Sequence, residues 1–200
     1  MPETTFIASS AQTMFSNATT TTGLGNWIGE SNDANSVRRG MSKFDISSIP
    51  EGSTINSATL RFYANQNKSN DARTASAYRI KRLIIINQNT WANYSSGNAW
   101  QTAGGTGAND IDTTAIGTRA YSSSETLNEF KDFSLTASKI QEMITGGTFS
   151  NTGTAMFLTK MATEDADAYD HDGHAEGNPP QLVIDYTPLP TAGSGMFLSM

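Results

Sequence analysis

The densest run of chemistry-bearing side chains is Glu164-Asp165-Ala166-Asp167-Ala168-Tyr169-Asp170-His171-Asp172-Gly173-His174-Ala175-Glu176, which gathers carboxylates and both histidines of the chain. Hard oxygen ligands at alternate positions suit Ca²⁺, whereas the imidazoles of His171 and His174 suit a transition metal. The spacing is that of neither an EF-hand loop nor H-E-x-x-H. The expectation is at most one structural Ca²⁺, held through Asp165, Asp167, Asp170 or Asp172, with a solvated acidic loop as the competing reading and no other cofactor. Nucleophilic catalysis lacks its parts: there is no cysteine, the histidines share one acidic loop, and no G-x-S-x-G elbow occurs. Glycoside hydrolysis would need two carboxyls converging in a cleft, one with a raised pKa, and no segment signals that convergence. The chain is therefore expected not to be an enzyme. Aromatic rings offer a different chemistry, because an exposed ring face packs against the apolar face of a pyranose. Trp100, inside a Ser- and Gly-rich stretch over 95–105, is the better candidate for an exposed platform, with a self-packed loop anchor as the equal alternative, and Tyr94 and Tyr121 are further candidate sugar contacts.

Charge narrows the partners. Lys and Arg total 13 against 19 acidic residues, giving a net charge of -6 and a pI near 4.8. Without a basic footprint neither phosphate neutralisation nor anionic-lipid binding is expected, so nucleic acid and membrane are set aside as partners. No stretch approaches the roughly 18 to 20 apolar residues that a bilayer span requires. Met1-Pro2-Glu3-Thr4-Thr5 lacks the basic and apolar regions of a secretory leader, from which the expectation is an unexported chain or one whose leader is already gone.

These groups must be positioned by strands. Only 16% of residues are charged, and Thr, Ser, Asn and Gly abound, which favours strands and turns over salt-bridged helices. Short apolar-rich runs recur at 5–8, 26–29, 39–46, 58–64, 77–86, 132–135, 154–161 and 181–186 with turn residues between them, the pattern of a two-sheet sandwich. In 58–64, Ala58, Leu60, Phe62 and Ala64 alternate with Thr59, Arg61 and Tyr63, placing one face inward at period two. The expected fold is all-β, a jelly-roll-like antiparallel sandwich over residues 1–187 with one short helix. Its core draws on Phe44, Ile46, Leu60, Phe62, Ile80, Phe157, Leu158, Leu182 and Ile184. Phe157 and Leu158 are adjacent, so one of them should cover an end. The helix is predicted where Leu135, Ile140, Met143 and Ile144 follow helical spacing, capped by Thr136 and ended by Gly146-Gly147. Residues 87–128 form a long Gly-, Ser- and Asn-rich segment expected to be functional or packed on a neighbour. Residues 188–200 read as a Pro/Gly/Ser linker ending in Met196, Phe197, Leu198 and Met200, a tethered apolar plug, with a free terminus as the competing reading.

The block Arg39-Gly40-Met41-Ser42-Lys43-Phe44-Asp45-Ile46-Ser47-Ser48-Ile49-Pro50, followed by Gly52-Ser53-Thr54-Ile55-Asn56-Ser57-Ala58-Thr59-Leu60-Arg61-Phe62-Tyr63, resembles the DNRLRE, or disaggregatase-related, β-sandwich family. That family's pattern is R-x-L-L-K-F-D-L-S-S-I-P-x-G-A-x-I-x-S-A-x-L-x-L-Y. Thr90-Trp91-Ala92-Asn93-Tyr94, the stretch from Phe133 to Gly146 and Pro180-Gln181-Leu182-Val183-Ile184-Asp185-Tyr186 resemble its later elements. The resemblance implies a sandwich with Trp27 and Trp91 at core positions. Asp45 is expected to accept hydrogen bonds within the turn that follows it. Such modules occur in polysaccharide-degrading enzymes, adhesins, archaeal surface proteins and phage virion proteins, so the resemblance points to fold more than to function. Combined with the apolar tail, the expected role is a phage virion component of the capsid-decoration or fibre type. It would be present in many copies and dock on neighbouring subunits through Met196, Phe197, Leu198 and Met200. The alternative is a carbohydrate-binding module of a secreted or cell-surface protein.

Overall fold

The computed structural model describes residues 3–18, 25–31, 36–67, 72–144, 153–164, 169–171 and 177–190. Along the chain come β1 (Glu3–Ile7), β2 (Ser10–Phe15), β3 (Gly29–Ser31), β4 (Ser36–Asp45), β5 (Thr54–Asn67), β6 (Arg73–Arg79), β7 (Asn93–Ser95), β8 (Asn98–Ala99), β9 (Gly117–Tyr121), β10 (Glu129–Leu135), α1 (Ala137–Ile144), β11 (Thr154–Met161), β12 (Tyr169–His171) and β13 (Gln181–Thr187). One sheet, here sheet A, has the order β1-β13-β5-β10, with β12 pairing with the far end of β5. The other, sheet B, has the order β2-β4-β11-β6-β9, with β3 beside β4. Pairing is antiparallel throughout both sheets. The chain passes from β4 in B to β5 in A, back to β6 and β9 in B, to β10 in A, β11 in B and β13 in A. This interleaving is the jelly-roll connectivity expected from the sequence.

Period-two patterning decides which way each strand faces. On β5, Ala58, Leu60, Phe62 and Ala64 are buried between the sheets while Thr59, Arg61 and Tyr63 turn outward. On β10, Lys131, Phe133 and Leu135 face in, and Phe133 stands opposite Leu60 in register. Edge-to-face ring pairs join neighbouring strands within each sheet, Phe44 with Phe157 at 5.9 Å in sheet B and Phe62 with Phe133 at 5.7 Å in sheet A, while Tyr121 on β9 meets Phe133 across the core at 6.4 Å. Every residue expected in the core is buried, but not all in one core. Phe157 points between the sheets, and Leu158 points through the other face of sheet B into a second apolar cluster with Met14, Met41, Ile80, Ile84, Trp100, Ile111 and Met156. Leu158 therefore does not cover an end, as adjacency suggested. It is buried because residues 81–116 lie across the outside of sheet B, so β11 is apolar on both faces.

The helix closes one end of the sandwich. Ile140, Met143 and Ile144 pack into the inter-sheet core, and Gln141 accepts from the Ile55 amide at 2.8 Å and donates to the Ser53 carbonyl at 2.8 Å. Thr136 precedes the helix, but its hydroxyl donates to the Ile116 carbonyl at 3.1 Å, tying the helix start to the segment before β9. Gly146 and Gly147 lie outside the described residues. The Asp45 carboxylate accepts from the Ser47 amide at 3.0 Å, and hydrogen bonds from the Ser47 side chain and amide hold it below the usual carboxylate range.

Candidate functional site

The two outward faces were dealt with differently by the sequence. Outside sheet B, the 81–116 cover is pinned by buried polar groups. The carboxylate of Asp110 accepts from the Gln101 and Thr102 amides at 3.1 and 3.2 Å and from Arg82 at 3.3 Å. Arg39 reaches out of β4 to donate to the Gly104 carbonyl at 2.7 Å, forks onto Glu164 with two bonds of 2.8 Å, and stacks on Trp91 at 4.4 Å. A side-chain bond from Gln12 to Asn89 joins β2 to the cover. Gly104 holds a positive φ of 80°, and a Cβ there would stand 2.1 Å from Arg39, so this close approach requires glycine.

That packing relocates the aromatic candidates. Trp100 is 5% exposed and anchors its loop, the alternative to an exposed platform: its indole Nε1 donates to the Thr90 carbonyl at 3.0 Å and its ring lies in the second core. A long Ser- and Gly-rich stretch looked solvated because its apolar partners, Met41, Met156 and Leu158, come from strands distant in sequence. Tyr121 is also buried, packed on Phe133 at 6.4 Å with Arg119 over its ring at 5.1 Å. Tyr94 is half-buried, tilted against Trp100 at 5.7 Å and covered by Arg82 at 5.2 Å. The rings implied to be core, Trp27 and Trp91, are instead half-buried, each beneath an arginine, Arg38 at 4.3 Å and Arg39 at 4.4 Å. No sugar platform forms from Trp100, Tyr94 and Tyr121.

Of the acidic loop, Asp165, Asp167 and Asp172 lie outside the described residues, as does His174. Asp170 and His171 belong to β12, where backbone pairing with Gln66 and Ala64 is defined. Glu164, which opens the loop, is engaged by Arg39 and lies 3.9 Å from Lys160. Among the described residues no group of three or more His, Cys, Asp or Glu could hold a metal ion. Met196, Phe197, Leu198 and Met200 also lie outside the described residues.

Among the described residues, no segment covers the outside of sheet A. Register places Thr5, Val183, Thr59 and Ser134 in one row across β1, β13, β5 and β10, with Ile7, Gln181, Arg61 and Asp132 in the next. Tyr63 and Phe130 stand opposite each other beyond Arg61 and meet edge to face at 5.4 Å. Arg61 donates through Nε to Asp132 at 2.8 Å and lies over the Phe130 ring at 5.1 Å. A depression lined by Glu3, Thr59, Arg61, Asp132 and Val183 runs beside this cluster. The pair stays accessible, with Arg61 34% and Asp132 49% exposed, and Ile7 is among the exposed large apolar side chains. The sequence carried the signal for Tyr63, which falls on the outward phase of the clearest alternating run. Phe130 was hidden because its strand starts three residues before the apolar run at 132–135 that announced it.

No family model matches the chain, and no curated protein matches it.

Proposed function

We propose that the chain is a non-catalytic structural module that docks on neighbouring subunits of a multicopy surface assembly, a phage virion of the capsid-decoration or fibre kind. The observation that carries this is how the chain leaves its last strand. β13 lies between β1 and β5, so the segment beyond it has no adjacent edge to join. Pro188 and Pro190 cannot donate to a ladder, and Leu189 between them is 61% exposed, resting against the Gly52 turn, where a Cβ would stand 2.4 Å from its Cδ1. Residues 191–200, which carry Met196, Phe197, Leu198 and Met200, follow this exit in the sequence. Burying three such side chains on a partner contributes roughly 1.5 to 3 kcal/mol each before ordering costs, and many copies multiply the effect. The buried charges fit a structural role as well, because Arg79 pairs with Asp112 and Glu142, Lys131 with Glu125, and Arg39 with Glu164.

Deleting residues 191–200 should leave the melting temperature nearly unchanged while abolishing assembly, read by sedimentation or particle occupancy. Unchanged assembly after the deletion would remove the proposal. A second reading, a carbohydrate-binding module, is favoured by one observation, the accessible ion pair beside a half-buried ring pair on sheet A.

A further inference from the structure

We infer that the open face of sheet A is a binding site for a neutral glycan, with Tyr63, Arg61 and Asp132 as its contacts and Phe130 backing Arg61; this rests on the carbohydrate-binding reading. The chemistry a pyranose needs is an apolar ring for its C–H face, together with a donor and an acceptor close enough to serve neighbouring hydroxyls. Tyr63 supplies the ring, and Phe130, edge to face with it at 5.4 Å, lies beneath Arg61 and backs the guanidinium; neither ring lies in a core. Arg61 and Asp132, joined at 2.8 Å and both accessible, supply a donor and an acceptor side by side. A guanidinium held by a carboxylate and an aromatic ring is fixed in place before a ligand arrives, which lowers the ordering cost of binding. From β1 to β10 the face spans three strand spacings, about 14 Å, room for more than one sugar ring.

Charge selects among glycans. The outward charged side chains of β1, β13, β5 and β10 are Glu3, Asp185, Arg61 and Asp132, three carboxylates to one guanidinium. Arg61 is already matched by Asp132, so uronate- or sulfate-bearing chains would meet uncompensated negative charge. The ligand class is therefore a neutral polysaccharide.

The test is affinity electrophoresis of the whole chain in gels containing a soluble β-glucan, a galactomannan, a xylan or an alginate. Retardation by at least one neutral polymer and none by alginate is expected. Tyr63→Ala and Arg61→Gln should each weaken that retardation about tenfold or more, whereas Tyr63→Phe, which keeps the ring, should retain it. Melting temperatures of all three variants show whether the sandwich stays folded, and the Tyr63→Phe comparison separates ring stacking from folding. Neutral-polymer binding that survives Tyr63→Ala and Arg61→Gln would overturn the assignment to this face and leave the carbohydrate reading standing. Retardation by alginate alone would overturn the ligand class, and no retardation by any polymer would overturn both the site and the reading.

Discussion

Two sheets of the same sandwich present opposite outer faces. Outside sheet B, Met14, Met41, Ile80, Met156 and Leu158 are apolar and lie under a long irregular segment whose own Ile84, Trp100 and Ile111 complete a core. Outside sheet A, Thr5, Thr59, Ser134 and Val183 alternate with the buried residues, and no described segment lies over them. A face that is apolar needs a cover, and a face of threonines, rings and an ion pair does not. The difference teaches that the long 81–116 segment is structural, and that the face no described segment covers is the accessible one.

The largest expected effect tests the cover directly. Replacing Trp100 with Ala removes the central ring of the second core and its hydrogen bond to Thr90, and should cost about 3 to 5 kcal/mol of stability, as for Phe62→Ala in the main core. Chemical denaturation of both variants makes the comparison. A cost under about 1 kcal/mol for Trp100→Ala would mean that the cover is an adherent loop rather than a second core.

The next effect compares ion pairs of the same kind at different depth. Lys131 points between the sheets and is 1% exposed, with Glu125, 10% exposed, at 2.8 Å. Burial pushes the Glu125 carboxyl up, but hydrogen bonds from Lys131, the Ser122 amide and Arg119 outweigh it and bring the pKa from 4.5 down to about 2. Because the folded value is the lower one, the carboxylate stabilises the fold at pH values above 4.5, and that contribution is lost as pH falls from 4.5 toward 2. It amounts to about 2 to 3 kcal/mol. The wild-type chain should therefore lose denaturation free energy over this interval, and Glu125→Gln should flatten the loss. An equally steep loss in Glu125→Gln would shift the role to Glu142, whose carboxyl burial raises while Arg79 and Lys139 hold it below its usual range.

Much of this architecture was legible because strands write their orientation at period two. Leu60 and Phe62, Leu182 and Ile184, and the helix face of Ile140, Met143 and Ile144 were each read from spacing alone and are buried as expected. What spacing does not carry is which irregular segment covers which sheet. Trp100 and Tyr121 sit among Gly, Ser and Thr, so their local sequence reads as solvent, while the partners that bury them lie across the fold. Arg39 shows the same limit. It stands in the block that resembles a family pattern, yet its partners, Gly104 and Glu164, are 65 and 125 residues away. Tyr63 was readable as outward, but its pairing with Phe130 is a product of register.

The smallest expected effect belongs to the open face. Arg61 and Asp132 form a 2.8 Å ion pair in the same chemistry as Lys131 and Glu125, but in contact with solvent. Water screens the attraction, and holding two mobile side chains in one geometry costs entropy, so exposed pairs of this kind contribute about 0 to 1 kcal/mol. Asp132→Asn should accordingly change the denaturation free energy by less than about 1 kcal/mol, and the remaining difference should shrink in molar salt, where the screening length falls to roughly 3 Å. The Phe130 ring beneath the guanidinium keeps Arg61 in place when its carboxylate is neutralised, which limits the loss further. A cost near that of disrupting Glu125 would mean that the sheet A pair is structural. The two faces would then differ in composition but not in role, and the accessible dyad would no longer be free to serve a ligand.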